Sequence, residues 1–290
     1  MLTAFFIMLR EGFEAALVVA ILYAYVRRTE RHDLVRPIWA GVIAASAVSI
    51  GTGVAIHLTV ESLAGAARLR AFALISVFAV IVLTWMVFWM RRHARGLRGE
   101  LQHSIDVAAT ARGSIGLAVG LASFFAVLRE GLEAALFLIA AATTDDGLRV
   151  AIGGLVGLTI ACVMGYLVVL GGRRLPLRQF FQVTGVMLIV FAAGLLSRTV
   201  MFLQVAGDLP ILWDNVYDLT AYDVLTVRTE TGKFLGAMFG WDPRPSIEQV
   251  VAYLGYSLTV GYLFLRPSRE AAPTKGTEPA RQTEPAAQTD

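Results

Sequence analysis

The chain has 290 residues, 57% of them apolar and 16% charged, with a formal net charge of +3 and a mean hydropathy of +0.66. That composition places it among polytopic membrane proteins before any window is read. A single cysteine, Cys162, excludes a disulfide framework and any thiolate metal cluster within one chain.

A helix crosses the hydrocarbon layer in roughly 17–25 apolar residues. Runs of that length predict seven spans, at about 2–26, 38–60, 70–90, 114–142, 150–170, 180–203 and 247–265. The first has no basic residue before it, and Arg10 and Glu11 interrupt it, so it reads as a retained helix rather than a signal peptide. In the third, Trp85, Phe88 and Trp89 read as an interfacial belt, and Met8, Met86 and Met90 as packing residues. Cys162 reads as a small packing residue of the fifth span, and Arg198 lies near enough to the end of the sixth to snorkel. The connection over 204–246 is long and acidic. A helix over 213–227 would put Asp214 and Asp218 on one face, with Asp223 within reach. Beyond a membrane domain of residues 1–266, residues 267–290 interleave Pro with Thr, Glu, Ala and Gln and read as a disordered tail.

Basic residues orient the spans. Sixteen Lys and Arg fall in the first, third and fifth loops and the tail, against six on the other side. The bias puts the N-terminus outside and the C-terminus in the cytoplasm of a cell-membrane protein. The outer side carries ten acidic residues, a net negative face that would concentrate cations.

Two stretches place one charged cluster mid-span: Leu9-Arg10-Glu11-Gly12-Phe13-Glu14-Ala15-Ala16-Leu17 and Leu128-Arg129-Glu130-Gly131-Leu132-Glu133-Ala134-Ala135-Leu136. An ionisable side chain at that depth costs about 2.5–3.5 kcal/mol on insertion scales, so the duplication marks function. Three spans separate the copies, and an odd number reverses direction, so they form an inverted repeat of the kind transporters build midplane sites from. Within each motif the glutamates are three apart and share a helix face. Gly12 and Gly131, with the alanines, would let spans one and four approach. Glu11, Glu14, Glu130 and Glu133 could then converge on one cation. Oxygen ligands without thiolates or thioethers suit iron, manganese, calcium or magnesium rather than copper(I). Either iron oxidation state is accommodated, the harder Fe(III) being favoured. Arg10 could balance Glu14, and Arg129 Glu133, in the empty state. The plainer reading is a pair of internal salt bridges, which are weak evidence of stabilisation.

With both Arg-Glu-Gly-x-Glu motifs, Leu83-Thr84-Trp85-Met86-Val87-Phe88-Trp89-Met90 and Phe191-Ala192-Ala193-Gly194-Leu195, the chain resembles the oxidase-dependent iron transporter family of bacterial EfeU-type and fungal high-affinity iron permeases. The resemblance covers about residues 1–266. It implies iron uptake with the four motif glutamates carrying the metal, and an acidic outer segment, here Asp214, Asp218 and Asp223, receiving it. It implies no cofactor beyond the transported iron. The partners it implies are a multicopper oxidase in fungi, or a periplasmic cupredoxin-like protein and a haem peroxidase in bacteria. Relatives often have a glutamate just inside the third span, where this chain reads Arg70-Ala71-Phe72-Ala73.

Other classes fit less well. The alternative outside transport is a seven-helix membrane sensor, a receptor or retinal-type photoprotein, but Lys233 and Lys275 lie outside the spans, so no Schiff base can form in the core. No His-Glu-x-x-His supports a membrane hydrolase, and the four histidines, at span ends or in loops, do not build a di-iron enzyme. Within transport, lead or manganese remains open, because carboxylates discriminate poorly among such ions.

Overall fold

The computed structural model describes residues 1–93, 115–143, 147–170, 177–222, 226 and 229–266. Among them the chain is helical without a strand. The helices are α1 (Leu2–Arg28), α2 (Val35–Glu61) after a 3-10 turn (His32–Leu34), α3 (Gly65–His93), α4 (Ile115–Ala142), α5 (Gly147–Val169), α6 (Leu177–Val205), the short α7 (Glu230–Phe239) and α8 (Ile247–Leu265). Each of the seven expected runs is a helix, and α7 is an addition. Four helices, α2, α3, α5 and α6, are long and apolar enough to cross a membrane. At 27 and 28 residues α1 and α4 have the length too, but each holds an arginine and two glutamates mid-run.

Local chemistry sets the ends. Pro37 sits in the first turn of α2, where its missing N–H would have had no helical partner. Ser246 caps α8 and exchanges hydrogen bonds with Gln249 in a capping box. Gly240 ends α7 at φ 65°, and its backbone abuts that of Gly194 on α6, so a side chain at either position has no room.

Helix pairing follows small residues. α1 packs on α5, α2 on α4 and α3 on α6, with α1 also touching α4. On α5, Gly153 and Gly157 let the carbonyls of Met1 and Phe5 approach where a Cβ would sit. The buried positions of α2 are Ile38, Gly41, Ala45, Ser49 and Val60, a mostly small stripe against α4. Its other faces expose Trp39, Ile43, Ile50, Val54 and Leu58. Where lipid tails are as apolar as the protein, close packing rather than the hydrophobic effect joins helices, and small residues permit it. A larger core lies between α3 and α6, where Leu83, Met86, Leu188, Phe191 and Leu195 meet Ile7, Phe137 and Phe264.

Several expectations need correction. The motif glycines do not face each other: a Cβ on Gly12 would meet Leu158 and Ala161 of α5, and one on Gly131 would meet Ser49 of α2. Gly12 thus seats its motif against α5, and Gly131 seats its motif against α2. Cys162 is exposed rather than packed. Arg198 does not snorkel. Its Nε is buried without a hydrogen bond, and its Nη2 lies 3.1 Å from where a Cβ of Gly236 on α7 would be.

No helix forms over 213–222. Asn215 has φ 54°, a left-handed conformation that interrupts a right-handed helix. The backbone instead pairs with the segment before α8: Val216 N–H donates to Pro245 (3.0 Å), Leu219 N–H to Pro243 (3.1 Å), and Ile247 N–H to Trp213 (3.0 Å). Asp223, Asp145, Asp146 and the tail over 267–290 lie outside the described residues.

Candidate metal centre

The two charged motifs meet. One carboxylate oxygen from each of Glu11, Glu14 and Glu130 lies within 4.8 Å of the others, and all three residues are buried. Helix geometry accounts for this: i and i+3 positions put Glu11 and Glu14 on the face of α1 that α4 touches, and Glu130 answers from α4. Glu133 stays with Arg129, whose Nε donates to its Oε1 at 3.0 Å.

The two arginines share a motif position but not an environment. Arg10 has a side chain only 2% exposed. Its Nη1 donates to Glu11 Oε1 at 2.9 Å, and its Nη2 lies 3.2 Å from Glu14 Oε1. Nη1 also donates to the sulfur of Met86 on α3, at 3.3 Å. The Arg129 side chain is 38% exposed. Its guanidinium carbon sits 4.8 Å from the centre of the Trp89 ring and 5.7 Å from that of Trp85, two stacked rings of α3. Thus α3 touches both motifs. Neither Met86 nor the tryptophan pair was marked as part of a site by apolar periodicity, which cannot separate a packing residue from a lining one. The only signal for them was that they fall in the third-span segment on which the family resemblance rests.

One oxygen of each glutamate, Glu11 Oε2, Glu14 Oε1, Glu130 Oε2 and Glu133 Oε2, is buried without a hydrogen bond. Glu14 Oε1 is nonetheless within ion-pair distance of Arg10 Nη2, so three of these acceptors are unpaired, and a buried unpaired acceptor costs about 1–3 kcal/mol, more when charged. The mutually close oxygens of Glu11, Glu14 and Glu130 form a donor set for a cation.

The outer acidic residues are mostly engaged. Asp218 accepts from the hydroxyl and N–H of Thr220 (2.6 and 3.0 Å) and pairs with Arg244 (3.0 Å). These contacts, the Thr220 hydroxyl first, hold its carboxyl down to about 2. Asp214 is exposed and accepts the N–H of Asn215. Arg70 clamps Asp208 through two bonds of 2.8 and 2.7 Å and ties α3 to the segment just after α6.

Comparison with known proteins finds relatives over nearly the whole chain. The family description "Iron permease FTR1 family" matches residues 1–269. Proteins named ferrous iron permease EfeU are similar over nearly their whole length. That of Escherichia coli O6:K15:H31 is 35% identical over 275 residues, covering 94% of this chain and 98% of the relative. That of Yersinia pestis is 36% identical over 272 residues, covering 94% and 96%. No solved structure matches the chain. A family match across almost the entire length, with paired glutamate motifs joined inside a helical bundle, makes this multi-pass membrane protein a member of the iron permease FTR1 family.

Proposed function

We propose that this iron permease carries ferrous iron through the centre formed by Glu11, Glu14, Glu130 and Glu133. The observation that carries the reading is the convergence of Glu11, Glu14 and Glu130 from two helices, all buried, with one carboxylate oxygen of each within 4.8 Å of the others. Carboxylates crowded in apolar surroundings resist joint ionisation unless a cation or proton joins them. In the empty state Arg10 and Arg129 supply that charge, and an arriving ion displaces them. An ion that competes with resident guanidiniums is bound moderately, as a carrier requires. The relatives' name specifies ferrous iron.

The seven long helices are read as seven spans, with α1–α3 and α4–α6 as inverted halves and α8 outside the repeat. Two pairings support this: α1 on α5 is the counterpart of α4 on α2, and Gly12 against α5 the counterpart of Gly131 against α2. Residues 1–266 act as one permease unit in the cytoplasmic membrane, N-terminus outside, and iron moves inward. The acidic outer segment collects the ion. There Asp214 is exposed, while Asp218 is already tied to Arg244. A periplasmic cupredoxin-like protein and a haem peroxidase are the partners this reading assigns.

The test is radio-iron uptake into proteoliposomes, with ascorbate holding the metal ferrous, by single Glu→Gln variants at the four positions. Each variant is expected to lower uptake more than tenfold while still purifying as a folded monodisperse protein. Wild-type uptake by all four would overturn the assignment.

A further inference from the structure

We infer that Met86 is a metal ligand of this centre, adding a soft thioether to the carboxylates and selecting ferrous over ferric iron. The inference rests on the site proposed above. Its own observation is the contact between Met86 Sδ and Arg10 Nη1, at 3.3 Å. A thioether is a weak acceptor, and a guanidinium normally aims its donors at oxygen. Here unbonded carboxylate oxygens belong to the same cluster, yet Nη1 is shared between Glu11 Oε1 at 2.9 Å and the Met86 sulfur. The guanidinium therefore marks a place where one cation is held by two carboxylates and a sulfur. An ion that displaces Arg10 inherits those three donors.

Position on α3 strengthens the case. Residues Gly65–His93 contain no Asp or Glu, so Met86 is the donor that α3 directs into the cluster. The residue is completely buried. Its neighbours in sequence, Trp85 and Trp89, serve the other arginine, so this stretch of α3 lines both motifs. Carboxylates alone favour hard ions, Fe(III) among them. Thioethers favour softer ones, and methionine is an established ligand of haem iron. A mixed set thus moves preference toward Fe(II) and admits soft monovalent ions as competitors.

Methionine also fills gaps in cores, and leucine would fill this one nearly as well. The experiment therefore separates sulfur from volume. Ferrous uptake is measured under ascorbate in proteoliposomes of the full chain in a Cys162→Ser background, so that the exposed native thiol cannot bind the soft competitor. The proteins are the parent, Met86→Leu, Met86→Cys and Glu11→Gln, each with and without Cu(I), which the same ascorbate keeps reduced and which thioethers favour. We expect Met86→Leu to raise KM for Fe(II) about tenfold at unchanged maximal rate and to lose Cu(I) inhibition. Met86→Cys should retain inhibition and a KM near the parent's. Parental KM and Cu(I) sensitivity in Met86→Leu would overturn the inference, as would equal impairment of the leucine and cysteine variants, which is the mark of packing. Glu11→Gln distinguishes the two levels. If it loses uptake while Met86→Leu behaves as the parent, only the methionine's role falls. If Glu11→Gln and the other three Glu→Gln variants all transport normally, the site reading fails as well.

Discussion

Arg10 and Arg129 occupy the same position in identical motifs, yet their replacement by methionine should have unequal consequences. Removing one partner of a buried pair costs about 3–5 kcal/mol, because the remaining charge stays buried without compensation. Arg10 meets that condition: its side chain is 2% exposed and lies 2.9 Å from Glu11 and 3.2 Å from Glu14. Arg129 does not, being 38% exposed at the side chain with one close partner, Glu133, at 3.0 Å. A pair that is only partly buried is worth less, about 0.2–1 kcal/mol where water reaches it, and the contact with Trp89 adds about 0.5–1 kcal/mol. At roughly 3 °C per kcal/mol for a chain of this size, Arg10→Met should lower Tm by about 12 °C and Arg129→Met by about 4 °C. The assay is thermal unfolding of the purified protein in detergent, followed by intrinsic fluorescence. Adding Glu11→Gln to Arg10→Met should recover part of the loss by removing one stranded charge, whereas the same change added to Arg129→Met should not. Equal shifts for the two arginines, or a larger one for Arg129, would refute the reasoning.

Three further outcomes follow from the packing and the outer loop. Gly157→Ala should destabilise by about 1–3 kcal/mol, since its Cβ would meet the Phe5 carbonyl and the Leu9 nitrogen of α1, whereas Gly255→Ala on α8, with open space around it, should be neutral or slightly stabilising. Tm in detergent decides between them, and equal effects would contradict the α1–α5 contact. Ser246→Ala removes the cap of α8 and should cost about 1 kcal/mol, read in the same assay. Asp218, held at about 2, contributes to loop stability above the ordinary aspartate value near 3.9 and loses that contribution as pH falls through about 2. Hydrogen exchange at Val216 and Leu219, corrected for intrinsic rates, should then be unchanged between pH 8 and 5; protection lost within that window would count against the pairing.

Much of this molecule could be read before any coordinates, for identifiable reasons. Charges inside an apolar run are costly, so Arg10, Glu11, Glu14 and their counterparts stood out at once. The apolar run lengths located the seven long helices to within a few residues. Partner choice was not legible: periodicity says that Gly12 faces a neighbour, but only the assembled bundle shows that the neighbour is α5. Met86 was read as packing and does lie in the α3–α6 core, but its contact with Arg10 was not legible because a thioether carries no charge to betray it in an apolar span; nor was the contact of Trp85 and Trp89 with Arg129, because indoles favour interfaces generally. The helix expected over 213–227 failed through residue 222 because a face of aspartates three or four apart is a weak signal beside backbone pairing to Pro243 and Pro245. Arg198, taken for a snorkelling side chain, lies against α7, a short helix that composition did not reveal.

The most direct measurement is the anomalous difference density of crystals grown with ferrous iron under reducing conditions, recorded on both sides of the iron absorption edge. The account expects one iron peak among the carboxylates of Glu11, Glu14 and Glu130, with the Arg10 guanidinium moved off Glu11. Iron bound elsewhere in the bundle, with Arg10 still paired to Glu11 and Glu14, would contradict it.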